Sequence, residues 1–502
     1  MRHSNSASAI ALLASGFFAS GASADITAME VWENIQALGK SYGEQITGTV
    51  SQSGDVLTIS DATLTHETPD ATATGSFGQI ILTELPNGTV EITLPTEFPF
   101  TMAMTPETGE KIDVPMVVNQ SGLKAIVSGT ADDSVYDYSA DQLGFAIIGM
   151  TVEGEEIPVN ANFAMMAVSG NYEVSNGEMR ALKSSGKVDK LLLDVGAEFP
   201  EENGSFAAKF EIEDMVSKSS GMMPLEANPQ GNLAEDLAGG MAVDALLTYG
   251  ASNYSFDFDA PDGKGTVKGG AENGSFSVTL ADASFDYGIK SFGSHLTLTS
   301  TQLPIPALAA TMESSAFNLK MPVAKTDAPT DIGLVTQING LALNEDVWAL
   351  FDPTAILPRD PATLLVDLSG KARWLFEITN PEAMADITTA PGEIESLDIN
   401  GIELSVAGAS LTGDGAFTFD NSGTGEMGGM PKPAGTLNLQ LNGGNGLMDK
   451  LVEMGLLPQE QVMGFRMMLG LFARPGEGDD ALVSEITMTE DGQVLANGQR
   501  LR

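Results

Sequence analysis

The sequence predicts a mainly β protein (β-rich α+β): a large antiparallel meander sheet, curved or elongated, with an N-terminal helix and a C-terminal helical hairpin packed on it. Three observations predict this. The first is strict alternation of apolar and polar residues. Val90, Ile92 and Leu94 alternate with Glu91 and Thr93; Tyr254, Phe256 and Phe258 alternate with Ser255 and Asp257. The same pattern recurs at Phe276, Val278 and Leu280, and at Leu437, Leu439 and Leu441. Successive strand side chains point to opposite faces, so each run has one apolar and one wet face, as antiparallel sheets do. The second is a set of turn dipeptides between such runs: Asn87-Gly88, Asp262-Gly263, Asn273-Gly274, Asp491-Gly492 and Asn497-Gly498. Asn-Gly and Asp-Gly accept the positive φ of tight hairpins, which predicts hairpins over 79–94 and 484–495. The third is composition: 55 glycines, 42 % hydrophobic and 18 % charged residues fit a turn-rich folded chain and not a disordered one.

Helical spacing breaks this rhythm in a few places. Met29, Trp32, Ile35, Gln36 and Leu38 predict an amphipathic helix over 27–39. A short helix is expected over 344–351, with Asn344 as N-cap and Asp352-Pro353 as its stop. Residues 234–249 are a helical candidate weakened by Gly239-Gly240. Residues 446–454 and 458–472 predict a helical hairpin, with Gly455 at the break and Pro458 near the second N-terminus.

The chain begins Met1-Arg2-His3. An apolar run from Ala9 to Ala19 follows, and small residues end in Ala22-Ser23-Ala24. This is the three-part pattern of a secretory signal peptide, with cleavage expected after Ala24 and the periplasm as destination. Neither this run nor any later one reaches the about 20 apolar residues of a transmembrane helix. An exported chain with no cysteine has no disulfides and relies on packing. The expected organisation is a signal peptide over 1–24, a β-rich half over 25–230, and a second β-rich half over 231–502 carrying the hairpin 446–472. The proline- and glycine-rich stretches 222–232 and 421–433 are linker candidates. Asn-Gly-Ser-Phe occurs at 203–206 and 273–276, each time before an alternating run.

Asp and Glu total 68 against 24 Lys and Arg, a formal charge of −44. Such a surface repels nucleic acid and anionic membranes, keeps a protein in solution and favours cationic partners. The acids are scattered and form no acidic tail.

Two stretches bear a family resemblance. One is FDPTAILPRDPATLLVDLSG, residues 351–370. The other is LVEMGLLPQEQVMGFRMMLGLFARPGEG, residues 451–478, with TEDGQVLANGQRLR after it at 489–502. Together with the helix start at Asp25 to Trp32 and the following SGDVLTIS, they resemble the bacterial envelope proteins of domain-of-unknown-function family 2125. The resemblance implies an exported envelope protein and brings no catalytic residues. Within 351–370, Pro353, Pro358 and Pro361 stiffen an extended crossing, and Arg359 has Asp352 and Asp360 as local ion-pair partners.

No established catalytic or cofactor pattern appears, and no cofactor is expected. After Ala24 the only histidines are His66, expected in a turn, and His295, expected to face outward on a strand. There is no H-E-x-x-H, G-x-S-x-G or phosphate-binding glycine loop. Ser121-x-x-Lys124 and Ser184-x-x-Lys187 lack the partner motifs of the S-x-x-K enzymes. Asp257, Asp259 and Asp262 beside Gly263 are a calcium candidate, although Pro261 breaks the EF-hand spacing. They also suit the wet face of a strand that ends in a turn. Met448, Met454, Met463, Met467 and Met468 lie among leucines and phenylalanines in the hairpin. Unbranched, polarizable methionines pack irregular interiors and also suit adaptable binding surfaces. The candidate apolar ligand or partner surface is therefore Met463, Phe465, Met467, Met468 and Phe472.

The leading expectation is a non-enzymatic envelope scaffold or binder of an apolar, lipid-like ligand, with an envelope protein as the other partner class. A carboxylate-dependent periplasmic hydrolase and an outer-membrane β-barrel are the alternatives. A continuous apolar groove about 15 Å long, the reach of five strand residues, would favour the ligand binder.

Overall fold

The structure is a computed structural model that describes residues 25–68, 70–106, 109–199, 203–225, 233–377, 391–422 and 431–501. The expected signal segment 1–24 lies outside the described residues, as do 226–232 and 423–430 of the linker candidates. Strands make up 67 % and helices 11 % of the fold, which is antiparallel with helices towards both ends of the chain. Two compact units emerge: residues 1–231 with 239–273 and 300–302, and residues 232–238 with 274–299 and 303–502.

The N-terminal unit starts with helix α1, Ala28–Ser41. Thr27 caps it: its hydroxyl accepts from the Glu30 N–H, and the Glu30 carboxylate accepts from the Thr27 N–H at 2.8 Å. This reciprocal pair satisfies two of the donors a helix start leaves open. Ala28, Val31, Trp32 and Leu38 form the buried stripe, at the spacing that brings them to one side. Ala28, Val31 and Trp32 meet Leu57, Ile59, Leu82, Val90 and Val127 from the strands beneath, and this cluster is the deep core of the unit.

The strands follow as a meander: Glu44–Ser53 with Val56–Thr68, then Ala71–Glu84. Ala71–Glu84 pairs with both Val90–Thr93 and Glu97–Met104. The long strands Asp133–Val152, Glu155–Asn176, Met179–Phe199 and Gly204–Pro224 run antiparallel in sequence order. Polar ties hold α1 across this sheet. Gln36 donates to the Ile46 carbonyl at 2.8 Å, Asn34 to the Ala131 carbonyl at 3.0 Å, and Arg180 to the Ser41 hydroxyl at 2.8 Å. One helix touching both Ile46 and Arg180 requires the sheet to curl beneath it.

The C-terminal unit is a second meander. Ser284–Ser300, Leu308–Pro322, Thr330–Leu343, Ala362–Trp374, Gly392–Val406, Ala409–Asp420, Lys432–Asn442 and Ala481–Met488 pair successively, all antiparallel. The hairpins expected from Asn87-Gly88 and Asp491-Gly492 form, pairing Thr83 with Glu91 and Thr487 with Leu495.

Two expectations fail locally. Residues 234–249 are not one helix: α2, Leu233–Ala238, ends before Gly240 at φ 97°, and Ala242–Tyr249 is a strand paired with residues 216–222. The left-handed glycine breaks the helix, and the Val-Asp-Ala-Leu-Leu-Thr-Tyr run suits a strand. His66 is not in a turn but inside Val56–Thr68, directly opposite Glu44.

Candidate functional site

In the C-terminal unit the register brings Leu343, Ala362, Val406, Ala409, Asn442 and Ala481 to one end of the sheet. Every non-strand insertion between these residues therefore emerges at that end. They are α3, Glu345–Ala349, with the crossing 350–361, and the helical hairpin formed by α4, Gly444–Glu453, and α5, Gln459–Phe472. Gly455, at φ 73°, makes the turn between α4 and α5, and Pro458 is the N-cap of α5.

The crossing is built on one buried carboxylate. Asp352, 1 % exposed, accepts from the backbone N–H groups of Ile356 and Leu357, both at 2.9 Å, and from Arg359 at 2.6 Å. Burial pushes its carboxyl upward. The Arg359 guanidinium and the two N–H donors outweigh this and hold it below the usual carboxylate range. Arg359 also stacks 4.3 Å over Trp348, whose ring lies 5.0 Å from Phe351. Of Asp352 and Asp360, the two acids that the sequence offers Arg359, Asp352 is the one it binds, and Glu345 of α3 adds a longer contact at 3.7 Å.

The hairpin is mounted by polar contacts. Asp480 accepts from the N–H of Gly446 and the Asn445 amide, both at 2.9 Å, at the first turn of α4. Burial opposes these bonds, yet they and Arg466 keep the Asp480 carboxyl low. Arg466 of α5 binds Asp449 of α4 at 2.8 Å and the Asn445 side chain at 2.9 Å. The Phe472 carbonyl at the end of α5 accepts from Ser484 and Asn497.

So anchored, α5 buries little of its apolar surface. Val462 is 2 % exposed, and Arg466 and Leu469 on the same side are half-buried. Met463, Phe465, Met467, Met468, Leu471 and Phe472 are all exposed, with Met467 at 75 % and Leu471 at 64 %. Leu456 at the hairpin tip, and Leu350 and Phe351 after α3, are exposed as well. The five residues expected from the sequence thus share one helix and face water. Leu471 and Leu456 belong with them; their signal was the unbroken apolar character of the helix and its turn. Residues 444–475 hold three acids (Asp449, Glu453, Glu460) and three bases (Lys450, Arg466, Arg474), so this stretch is neutral in a chain of −44.

Where α5 ends, an open cleft of about 480 Å³ crosses the sheet. Glu403, Asp414, Glu485 and Arg474 line it among small, amide and aliphatic side chains, with no aromatic residue. Asp414 accepts from Asn438 at 3.1 Å.

The calcium candidates are engaged locally. Asp257 accepts from Thr266 at 2.6 Å, Asp259 pairs with Lys264, and the Asp262 carbonyl accepts from Gln302 at 2.8 Å. Asp257 and Asp259 lie on one hairpin face, satisfied by the opposing strand. Among the described residues no three His, Asp or Glu side chains are gathered to hold a metal ion. His295 is exposed on its strand and stands far along the chain from His66. His66, by contrast, shares a ladder position with the buried Glu44, a pairing that reading the sequence missed.

Comparison with known proteins is sparse. Residues 260–501 match a family described as an uncharacterized protein conserved in bacteria (DUF2125). The match includes the 351–370 and C-terminal stretches that carry the resemblance and does not extend to the residues before 260. No curated protein matches, and no solved structure matches. Among the described residues no helix is long and apolar enough to cross a membrane.

Proposed function

We propose that this chain is an exported, non-enzymatic envelope protein that uses its C-terminal helical hairpin to engage lipid at a membrane surface. One observation carries this: the apolar residues of α5 face outward while polar bonds hold the helix in place. Contiguous exposed apolar surface on a folded protein marks a surface made for something to cover it. Lipid fits better than a charged partner, because the hairpin carries no net charge, and the acidic rest of the chain favours a bilayer of neutral headgroups over an anionic one. A helix lying in the interface buries its apolar face about 5–10 Å deep, and methionine adapts to disordered acyl chains. Exposed charge on α5 is confined to Glu460 in its first turn and the half-buried Arg466.

The expected strength is modest. Fully burying one such side chain yields about 1.5–3 kcal/mol, and these six are already partly covered. Binding should therefore be reversible, on the scale of a single acyl anchor, about 10⁴ M⁻¹. Export to the periplasm after cleavage behind Ala24 is the second part of the proposal; it rests on the three-part N-terminal pattern.

The test is co-flotation with phosphatidylethanolamine–phosphatidylcholine vesicles, whose headgroups carry no net charge. Wild type should float at millimolar lipid. A variant carrying Met463→Ser, Met467→Ser and Leu471→Ser should lose most of that binding at unchanged thermal stability. Equal flotation of the two proteins would refute the hairpin's role. N-terminal sequencing of protein from a periplasmic extract should start at Asp25, and an intact Met1 would refute export by this route.

A carboxylate-dependent hydrolase has the cleft at the foot of α5 in its favour, with Glu403, Asp414 and Glu485 on its walls. The lack of aromatic residues for sugar stacking speaks against it. Turnover of a glycoside panel that vanished in both Glu403→Gln and Glu485→Gln would establish that activity.

A further inference from the structure

Beneath the second half of α1 the N-terminal unit holds an apolar cavity of about 70 Å³, and a second of about 60 Å³ lies beside it among the strands. Both are lined by Leu64, Phe77 and Leu94, so they adjoin. An apolar cavity of about 150 Å³ stays dry and takes up a benzene-sized guest, and the two together approach that size. They extend over residues of strands from Glu44–Ser53 to Glu155–Asn176, from Ile46 to Phe163 and Met165.

The first cavity has a polar end. Glu44 lines it and is only 6 % exposed, yet its carboxyl has no hydrogen-bond partner among the described residues. His66 stands opposite Glu44 in the ladder, so both side chains leave the same face. The His66 Nδ1 and the Tyr172 hydroxyl are buried without a hydrogen bond of normal geometry, and the Tyr42 side chain stands beside the Tyr172 hydroxyl. Tyr136, cross-strand from Tyr172 with ring centroids 6.3 Å apart, closes the side. The nearby cation is already committed: Arg180 donates to Ser41 and Asn176. Burial pushes the Glu44 carboxyl up, and His66 draws it partly back.

Buried polar groups left without partners cost several kcal/mol unless something completes them. Here Glu44 and Tyr172 line one end of an apolar space, and the His66 Nδ1 stands behind them, across the ladder from Glu44. The geometry points to a binding site for a small amphipathic molecule, with its apolar tail between Phe77, Phe98 and Leu64 and a hydrogen-bond-donating head, an amine or an alcohol, on Glu44 and Tyr172. A carboxylate head would face the Glu44 carboxyl acceptor to acceptor and is disfavoured. This site lies in the N-terminal unit and does not rest on the lipid-engaging face of α5.

Calorimetric titration of the exported-form chain with hexylamine, hexanol and hexanoate tests the site. The amine and the alcohol should bind, and hexanoate should bind at least about tenfold more weakly. Glu44→Gln, which keeps the side-chain shape, should weaken hexylamine by about tenfold or more, the scale of one charge-assisted hydrogen bond. Tyr172→Phe should weaken both donor probes. Three results would overturn the site: hexanoate binding as tightly as hexylamine, full hexylamine affinity in Glu44→Gln, or no probe binding, which would leave the polar end to ordered water. If Glu44→Gln fails to fold, the order of the three probes on the wild type decides alone.

Discussion

Helices α1 and α5 are each fourteen residues long and meet water in opposite ways. α1 carries glutamate, asparagine and lysine on one side and buries Val31 and Trp32 on the other. α5 is the more apolar of the two, yet it buries Val462 and leaves six large apolar side chains exposed. The difference lies in what stands opposite each helix. α1 lies across a curled sheet whose leucine, isoleucine and valine side chains fill the space under it. α5 stands at the end of a sheet, held by Arg466 and by its terminal carbonyl. Hydrophobicity makes burial favourable but does not provide a surface to bury against. A helix richer in apolar residues and less covered by its own fold is the one available to an outside surface.

Substitutions can break this comparison or sharpen it. The largest effect is expected at Trp32→Ala, which empties the core under α1 and should cost about 3–5 kcal/mol in urea unfolding. A loss below about 1 kcal/mol would mean that α1 is not structural core, and the contrast with α5 would collapse.

Next comes acid stability at the end of the sheet where α5 stands. The carboxyls of Asp352 and Asp480 sit below their unfolded-state values. Carboxylates of this kind add stability above the unfolded-state pKa, about 3.9, and lose it as pH falls through the lower folded value. The melting temperature should therefore drop steeply below about pH 4. Asp352→Ala should lower it at pH 7 and flatten that drop; a variant with an unchanged acid profile would remove Asp352 from the account.

Smaller and opposite in sign is Gly470→Ala in α5. A Cβ there meets nothing within 4 Å, so the substitution should add up to about 1 kcal/mol of stability. Destabilisation instead would show that this face is already covered. The smallest expected effect belongs to Met467→Ser: an exposed position should shift unfolding by no more than about 0.5 kcal/mol. A larger loss would make Met467 core after all.

Much of the fold was legible from residue spacing. Period-two runs and the turns at Asn87-Gly88 and Asp491-Gly492 mark strands, Met29, Trp32, Ile35, Gln36 and Leu38 mark α1, and Gly455 with Pro458 marks the hairpin. Periodicity identifies which side chains are oily but not whether a neighbour covers them, so the exposure of α5 could not be read. The pairing of Glu44 with His66 was hidden for a different reason. It is set by the register of a hairpin that shifts between Thr47 and Thr49, a feature no local pattern announces. Residues 242–249 were misread because a six-residue helix and a strand meet at Gly239-Gly240.

Methionine oxidation followed by mass spectrometry tests the central claim most directly. Oxidation follows exposure, and Met116, buried in the N-terminal unit, is the internal reference. In the free protein Met463, Met467 and Met468 should oxidise at least about tenfold faster than Met116, and phosphatidylethanolamine–phosphatidylcholine vesicles should slow all three. Rates equal to that of Met116, or rates that vesicles leave unchanged, would contradict an uncovered helix that lipid covers.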